Sequence, residues 1–236
     1  MAGGKATRLR PLTEITSKQL LPVYNKPMIF YPLETLINAG IKDILIIIAP
    51  EYAGHFLCLL GSGKEFGARF TYEIQEQPRG LADAFIIGEN FIGHDKVTMI
   101  LGDNIFVGQS FSSQIRKFRD GASIFVKEVP DPERYGVAEF NKNMKVVSIE
   151  EKPKVPKSNF AVVGLYIYDN RVVEIAKSLK PSSRGEIEIT DINSVYLKSK
   201  ELSVNIVDGD WEDAGTFDSL LRVQNLIAEN ERRART

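Results

Sequence analysis

Histidine and cysteine are scarce in this 236-residue chain: two histidines, His55 and His94, and one cysteine, Cys58. A zinc centre built from several such ligands is therefore excluded. One cysteine cannot close an internal disulfide, which points to a reducing, cytoplasmic compartment. Neither histidine stands in a recognisable nucleophile motif, so both read as surface or loop residues and no Ser-His-Asp or Cys-His relay is expected. Long hydrophobic runs are also missing. The longest, residues 44–50, is far short of the ~20 residues of a membrane span, and no charged-then-apolar leader opens the chain, so no membrane partner is expected. Charge of one sign is not in excess: 30 Lys and Arg face 31 Asp and Glu, a net charge of -1. That balance argues against a nucleic-acid partner. Carboxylates, lysine, arginine, backbone amides and a hard metal ion are what remain for catalysis.

What is present is an ordinary globular composition, 43% hydrophobic and 26% charged, which excludes disorder. Helical periodicity over residues 27–41, with Gly40 as its stop, precedes the run Asp43-Ile44-Leu45-Ile46-Ile47-Ile48, which has the length and apolarity of a parallel strand buried on both faces. The alternation continues with a helix over 52–60, a strand over 70–74, a helix over 81–91, a strand over 97–102, a helix over 112–118 and a strand over 122–129. Shorter strands over 136–140, 146–150 and 161–168 follow, then helices over 171–179, 188–198 and 216–231. The Arg-rich end, residues 231–236, reads as a frayed tail. Alternating βα units predict a doubly wound α/β sheet with ligands beyond the carboxyl ends of its strands.

Polar residues directly after apolar runs are thus the candidates. Ala2-Gly3-Gly4-Lys5-Ala6-Thr7-Arg8 offers backbone N–H groups and a guanidinium to an anion, and Lys18 follows ten residues on. Asp103 in Leu101-Gly102-Asp103-Asn104 stands where a carboxylate could hold Mg2+ against a phosphate, or cap a turn. Glu150-Glu151-Lys152-Pro153 is a charged strand end. Asp213 in Trp211-Glu212-Asp213-Ala214-Gly215-Thr216 is either a second metal carboxylate or a helix cap.

In this order the segments resemble the sugar-1-phosphate nucleotidylyltransferases, closest to a short, dTTP-using branch. The likeness covers nearly the whole chain and includes Ser17-Lys18-Gln19-Leu20-Leu21-Pro22, Gly80-Leu81-Ala82, Asp131-Pro132-Glu133-Arg134-Tyr135-Gly136-Val137 and Arg184-Gly185-Glu186-Ile187-Glu188-Ile189-Thr190-Asp191. It implies a Rossmann-like, three-layer α/β/α nucleotidyltransferase fold with a mostly parallel mixed sheet. One domain spans 1–236, with a nucleotide lobe over about 1–120 and a sugar-phosphate lobe over about 121–236. The implied partners are dTTP or UTP, glucose 1-phosphate and further copies of the chain. The implied cofactor is Mg2+ on Asp103 and Asp213, and the catalytic set is Arg8, Lys18, Asp103, Lys152 and Asp213. Ala2, Gly3, Gly4, Arg8, Gln75, Gly80 and Asp103 fall to the nucleotide. Asn104, Tyr135, Gly136, Glu151, Lys152, Val162, Tyr166 and Arg184 fall to the sugar phosphate. Competing readings are another sugar-1-phosphate enzyme and a catalytically silent regulatory relative; joint retention of Asp103, Lys152 and Asp213 argues against the second. Two departures stand out. The family has Gly where this chain has Ala6, at a position where a positive φ would cost alanine about 1 kcal/mol. The family also places an apolar strand ahead of the glycine loop, whereas Met1 stands here where that strand would end, so a first strand cut short is expected.

Overall fold

The computed structural model describes residues 1–4 and 6–233. Lys5 of the glycine-rich segment and residues 234–236 of the Arg-rich tail lie outside the described residues. The chain divides into two compact units, one of residues 1–78, 100–113 and 209–236, the other of residues 79–99 and 114–208.

The first unit opens on a hairpin of β1 (Pro22–Val23) and β2 (Lys26–Pro27), strands and helices being numbered along the whole chain. Helix α1 (Phe30–Asn38) therefore starts later than its periodicity suggests, since Lys26 and Pro27 are committed to the hairpin. It buries Tyr31, Leu33 and Leu36. The isoleucine run is β3 (Asp43–Ile48), α2 (Ala53–Leu60) follows it, and β4 (Arg69–Ile74) pairs parallel with β3 from Asp43↔Arg69 to Ile48↔Ile74. This is the expected βαβ unit, and four of the run's isoleucines are buried. Beside β3, Ala2 makes a single parallel bridge to Ile48, its N–H donating to the Ile47 carbonyl at 2.8 Å. The Met1 nitrogen donates to the Ile100 carbonyl at 3.1 Å, and the Gly102 N–H returns to the Met1 carbonyl at 3.0 Å. Met1 and Ala2 are thus tied both to the end of β3 and to the segment around Ile100–Gly102.

Two late segments complete this unit. Strand β6 (Asn104–Val107) pairs antiparallel with β12 (Asp210–Asp213), and helix α8 (Phe217–Arg233) follows. Leu9, Val23, Met28, Ile105, Ala214, Leu220, Val223 and Ile227 form one core cluster. Residues distant in the chain are thereby sealed around the Asp103 turn.

The second unit begins with α3 (Asp83–Ile87) and α4 (Glu89–Ile92). These replace the single helix expected over 81–91, which breaks at Gly88. Strand β5 (Val97–Ile100) and helix α5 (Ser112–Lys117) are the elements in which the chain passes between units. The sheet itself has the order β11 (Leu202–Ile206), β7 (Ala122–Glu128), β10 (Phe160–Tyr168), β8 (Gly136–Phe140), β9 (Val146–Glu151), with β5 also on β10. Strand β11 runs parallel to β7 while β7–β10, β10–β8 and β8–β9 are antiparallel, so the sheet is mixed. Nearly all of β10 is buried, and a bulge interrupts its register between Val162 and Tyr166. Helices α6 (Val172–Ser178) and α7 (Ile189–Lys198) pack against each other. Behind them Asp169 accepts the Gly121 N–H at 2.8 Å and the Tyr196 hydroxyl at 2.7 Å.

Candidate functional site

In the first unit, a ladder brings the two candidate acids together. Asp213 ends β12 opposite Asn104 at the start of β6, and the Ala214 N–H donates to the Asp103 carbonyl at 2.9 Å. Lys18, in a short helical turn over Lys18–Leu20, donates its ammonium to Asp103 Oδ2. Its neighbour Gln19 is buried, and Gln19 Cγ lies so close to Gly102 that a Cβ there would stand 2.9 Å away. The Lys18 turn is thereby seated on the Asp103 turn. Burial alone would pull the Lys18 ammonium down. The charges of Asp103 and Asp213 and the hydrogen bond to Asp103 outweigh it, so the pKa stands above the ordinary lysine value. Burial likewise opposes the Asp103 charge, yet Lys18 and the Asn104 amide hold that carboxyl below its usual range.

Asp213 is not the cap of the helix it precedes. That task falls to Thr216, whose hydroxyl accepts the Ser219 N–H at 3.2 Å while Ser219 Oγ accepts the Thr216 N–H at 3.0 Å. Asp213 Oδ1 and Arg8 Nη2 both flank Gly215, where a Cβ would stand 2.8 Å and 3.1 Å from them. Lys18, Asp103, Asp213 and Arg8 thus converge. Asn104, which the resemblance assigns to the sugar phosphate, sits in this unit. Its Nδ2 donates to Asp103 Oδ1 at 3.1 Å, and its Oδ1 accepts the Trp211 indole N–H at 2.7 Å.

Buried Gln75 follows β4 and donates its backbone N–H to the Ile48 carbonyl at 2.9 Å. Its Oε1 lies where a Cβ on Gly3 would come within 2.5 Å, so Gly3 is needed for close approach and not for an unusual φ. Gly4 is exposed with open space around it. Ala6 does adopt the left-handed region, φ 46° and ψ 40°, as its replacement of glycine implied. Its carbonyl is fixed by the Thr13 hydroxyl at 2.8 Å and the Leu9 N–H at 3.1 Å.

The second unit gathers the other set. Gly136 opens β8 opposite Glu151 at the end of β9, and a Cβ on it would stand 3.2 Å from Thr190 Oγ1, 3.4 Å from Glu151 Oε2 and 3.8 Å from Val162 Cβ. Thr190 donates to Glu151 Oε2 at 2.6 Å. Arg184 donates to Glu151 Oε1 at 3.4 Å and to Glu186 at 3.1 Å, and lies 3.4 Å from Glu188. Lys152 takes a left-handed φ of 44°, its N–H donating to the Tyr135 carbonyl at 2.9 Å and its ammonium lying 3.8 Å from Glu151 Oε1. Such a φ is uncommon outside glycine, and it turns the chain off the end of β9. Val162 and Tyr166 are buried on β10, either side of its bulge. Gly80 has φ 110° and would place a Cβ 2.7 Å from the Ile187 nitrogen, so its backbone passes directly against the Arg184 loop. Thr190, Glu186 and Glu188 carry no separate signal in the sequence beyond their place in the Arg184 motif. His55 and His94 are both exposed.

A lysine, an arginine and two carboxylates thus meet in one place, a grouping whose chemistry is charge neutralisation and not histidine acid–base transfer. The chain belongs to the nucleotidyl transferase family, whose profile matches residues 1–230. It is 56% identical over 232 residues to glucose-1-phosphate thymidylyltransferase of Neisseria meningitidis, covering 96% of this chain and 81% of that one. The protein of the same name from Mycolicibacterium smegmatis is 52% identical over 237 residues, covering 99% and 82%. Among solved structures, a Bacillus anthracis protein described as a glucose-1-phosphate thymidylyltransferase, in complex with a sucrose, matches at a TM-score of 0.91 and 46% identity, over 95% and 92% of the two chains. A UDP-glucose pyrophosphorylase complexed with UDP-glucose matches at 0.84 and 26% identity, over 97% of each. The chain accordingly has the mixed α/β, Rossmann-like fold of these nucleotidyltransferases.

Proposed function

We propose that this protein transfers a thymidylyl group from dTTP to glucose 1-phosphate, giving dTDP-glucose and pyrophosphate, within a single nucleotidyltransferase domain. An oxygen of the sugar phosphate attacks the α-phosphorus, the bond from that phosphorus to the β-phosphate bridging oxygen breaks, and pyrophosphate leaves with the electron pair. The sugar phosphate is a dianion above about pH 6, so no protein base is needed. Positioning and charge neutralisation do the work.

The single observation that carries this reading is the convergence of Lys18, Asp103, Asp213 and Arg8. Arg8 and the Ala2–Gly4 backbone hold the triphosphate, Lys18 meets the leaving pyrophosphate, and Gln75 receives the pyrimidine. A side-chain amide presents one donor and one acceptor to the imide edge of thymine. Asp103 and Asp213 fit a hard divalent cation such as Mg2+. Both are oxygen donors, and two carboxylates suit a cation that completes its shell with triphosphate oxygens and water; among the described residues no group of three or more His, Cys, Asp or Glu is placed to hold a metal. Bound there, Mg2+ would draw charge from the α-phosphate. Lys152 and Arg184 meet the phosphate of the sugar substrate. Tyr135, Gly136, Glu151, Val162 and Tyr166 receive its sugar. No helix among the described residues is long and apolar enough to cross a membrane.

Pyrophosphate release with dTTP or UTP and glucose 1-phosphate tests the reading. Turnover with dTTP exceeding that with UTP is expected. Absence of turnover with either nucleotide would contradict it and favour a silent relative.

A further inference from the structure

We propose that Glu188 is a positioning residue, which keeps the Arg184 guanidinium poised beside Glu151 until a sugar phosphate takes it over. The inference rests on the reading that Arg184 meets that phosphate. Glu188 occupies the cap position of α7, yet its side chain makes no capping bond to the helix. A negative charge at a helix start is favoured by the positive end of the helix dipole. This one turns the other way, accepting Ser182 Oγ at 2.8 Å and lying 3.4 Å from Arg184 Nη1. Its side chain is 9% exposed, against 38% for Arg184 and 39% for Glu186.

Burial pushes the Glu188 carboxyl up from its ordinary value, opposed by the Ser182 hydroxyl and the Arg184 charge. A charge is thus kept in a poorly solvated place, turned toward Ser182 and Arg184. Departures of this kind mark a task other than folding. The loop is preset around the same serine. Ser182 Oγ accepts the Arg184 N–H at 3.1 Å, its carbonyl accepts the Gly185 N–H at 2.9 Å, and its N–H donates to the Glu186 carbonyl at 2.8 Å. Ser182 therefore fixes the Arg184 backbone and the Glu188 carboxylate together.

Arg184 Nη1 lies 3.4 Å from both Glu151 and Glu188, long contacts that a phosphate dianion can outcompete with shorter charge-assisted bonds. When Arg184 turns to the phosphate, Glu151 Oε1 is released to accept a sugar hydroxyl while Thr190 still pins Oε2. Phosphate and sugar recognition are linked through one guanidinium, and Glu188 sets where that guanidinium waits.

Steady-state pyrophosphate release, with each substrate varied at saturation of the other, tests this on the full chain. Glu188→Gln should raise the glucose 1-phosphate KM about tenfold and leave kcat and the dTTP KM within about twofold. Ser182→Ala should shift the same KM in the same direction by about threefold, and it decides the matter should Glu188→Gln fail to fold. Glu186→Gln, whose bridge is screened by solvent, should move it less than Glu188→Gln does. A purely structural Glu188 would lower melting temperature and kcat and leave that KM alone. An unchanged glucose 1-phosphate KM, an equal shift in the dTTP KM, or an equal effect of Glu186→Gln overturns the proposal. Wild-type protein without turnover sinks thymidylyl transfer itself and this proposal with it; turnover with an unmoved KM overturns this proposal alone.

Discussion

The candidate site residues of the two units carry their charges in opposite ways. In the first, Lys18 and Asp103 are 12% and 15% exposed and bonded to each other, with Asp213 beside them. In the second, Lys152 and Arg184 are 46% and 38% exposed, and Arg184 is spread over three carboxylates at 3.1–3.4 Å. Buried charges with one partner are fixed in place, because leaving either unpaired is costly. Exposed charges shared among several partners exchange them at little cost. The first arrangement suits a centre that must already match a developing charge distribution. The second suits one that waits for a substrate and rearranges around it.

The largest expected effects therefore lie in the first unit. Asp103→Asn, Asp213→Asn and Lys18→Met should each lower kcat by about a hundredfold or more, measured as pyrophosphate release. Chelation with EDTA should abolish turnover, and added Mg2+ should restore it. Replacing both His55 and His94 should change little, and a collapse of activity there would break the contrast drawn above.

The same pair predicts a pH window for stability. The Asp103 pKa is lower in the fold than its ordinary 3.8, so its contribution is present above that value and lost as pH falls through the lowered one. The Lys18 pKa is raised above 10.5, so its contribution is present below that value and lost as pH rises through the raised one. In urea titrations the stability gap between wild type and Asp103→Asn should be level across neutral pH and narrow below about pH 3.8. A gap that keeps its size at pH 2 would show that the pair is not what holds the two turns together.

The smallest effect is local. Ala6→Gly should raise stability by about 1 kcal/mol by relieving the left-handed φ of 46°, a shift visible in the melting temperature. An unchanged or lower melting temperature would mean that the fixed Ala6 carbonyl, and not its φ, dominates there.

Much of the fold is legible in local pattern. The isoleucine run announces β3, because a strand buried on both faces has no room for alternation. The long strand β10 and the periodicity of α7 are equally plain. What escaped is pairing between distant segments. Strands β6, β11 and β12 are four or five residues each, and the ladder of β6 with β12 joins positions no local window can connect. That ladder is what sets Asp103 beside Asp213. The candidate residues were visible as polar side chains after apolar runs, but their partners were not. Thr216 and Ser219 cap α8 in place of Asp213, and Thr190 and Glu188 gain meaning only once β9 and the α7 loop are folded.

The central claim is that the two sets of charges serve two substrates, and initial-rate matrices for two variants test it most directly. Gln75→Glu places a charge beside Gly3 in the first unit, and Lys152→Met removes a cation from the second. Gln75→Glu should raise the KM for dTTP and leave that for glucose 1-phosphate in place. Lys152→Met should raise the KM for glucose 1-phosphate about tenfold and leave that for dTTP in place. A Lys152→Met variant that shifts only the dTTP KM, or two variants that shift the same KM, would contradict the account.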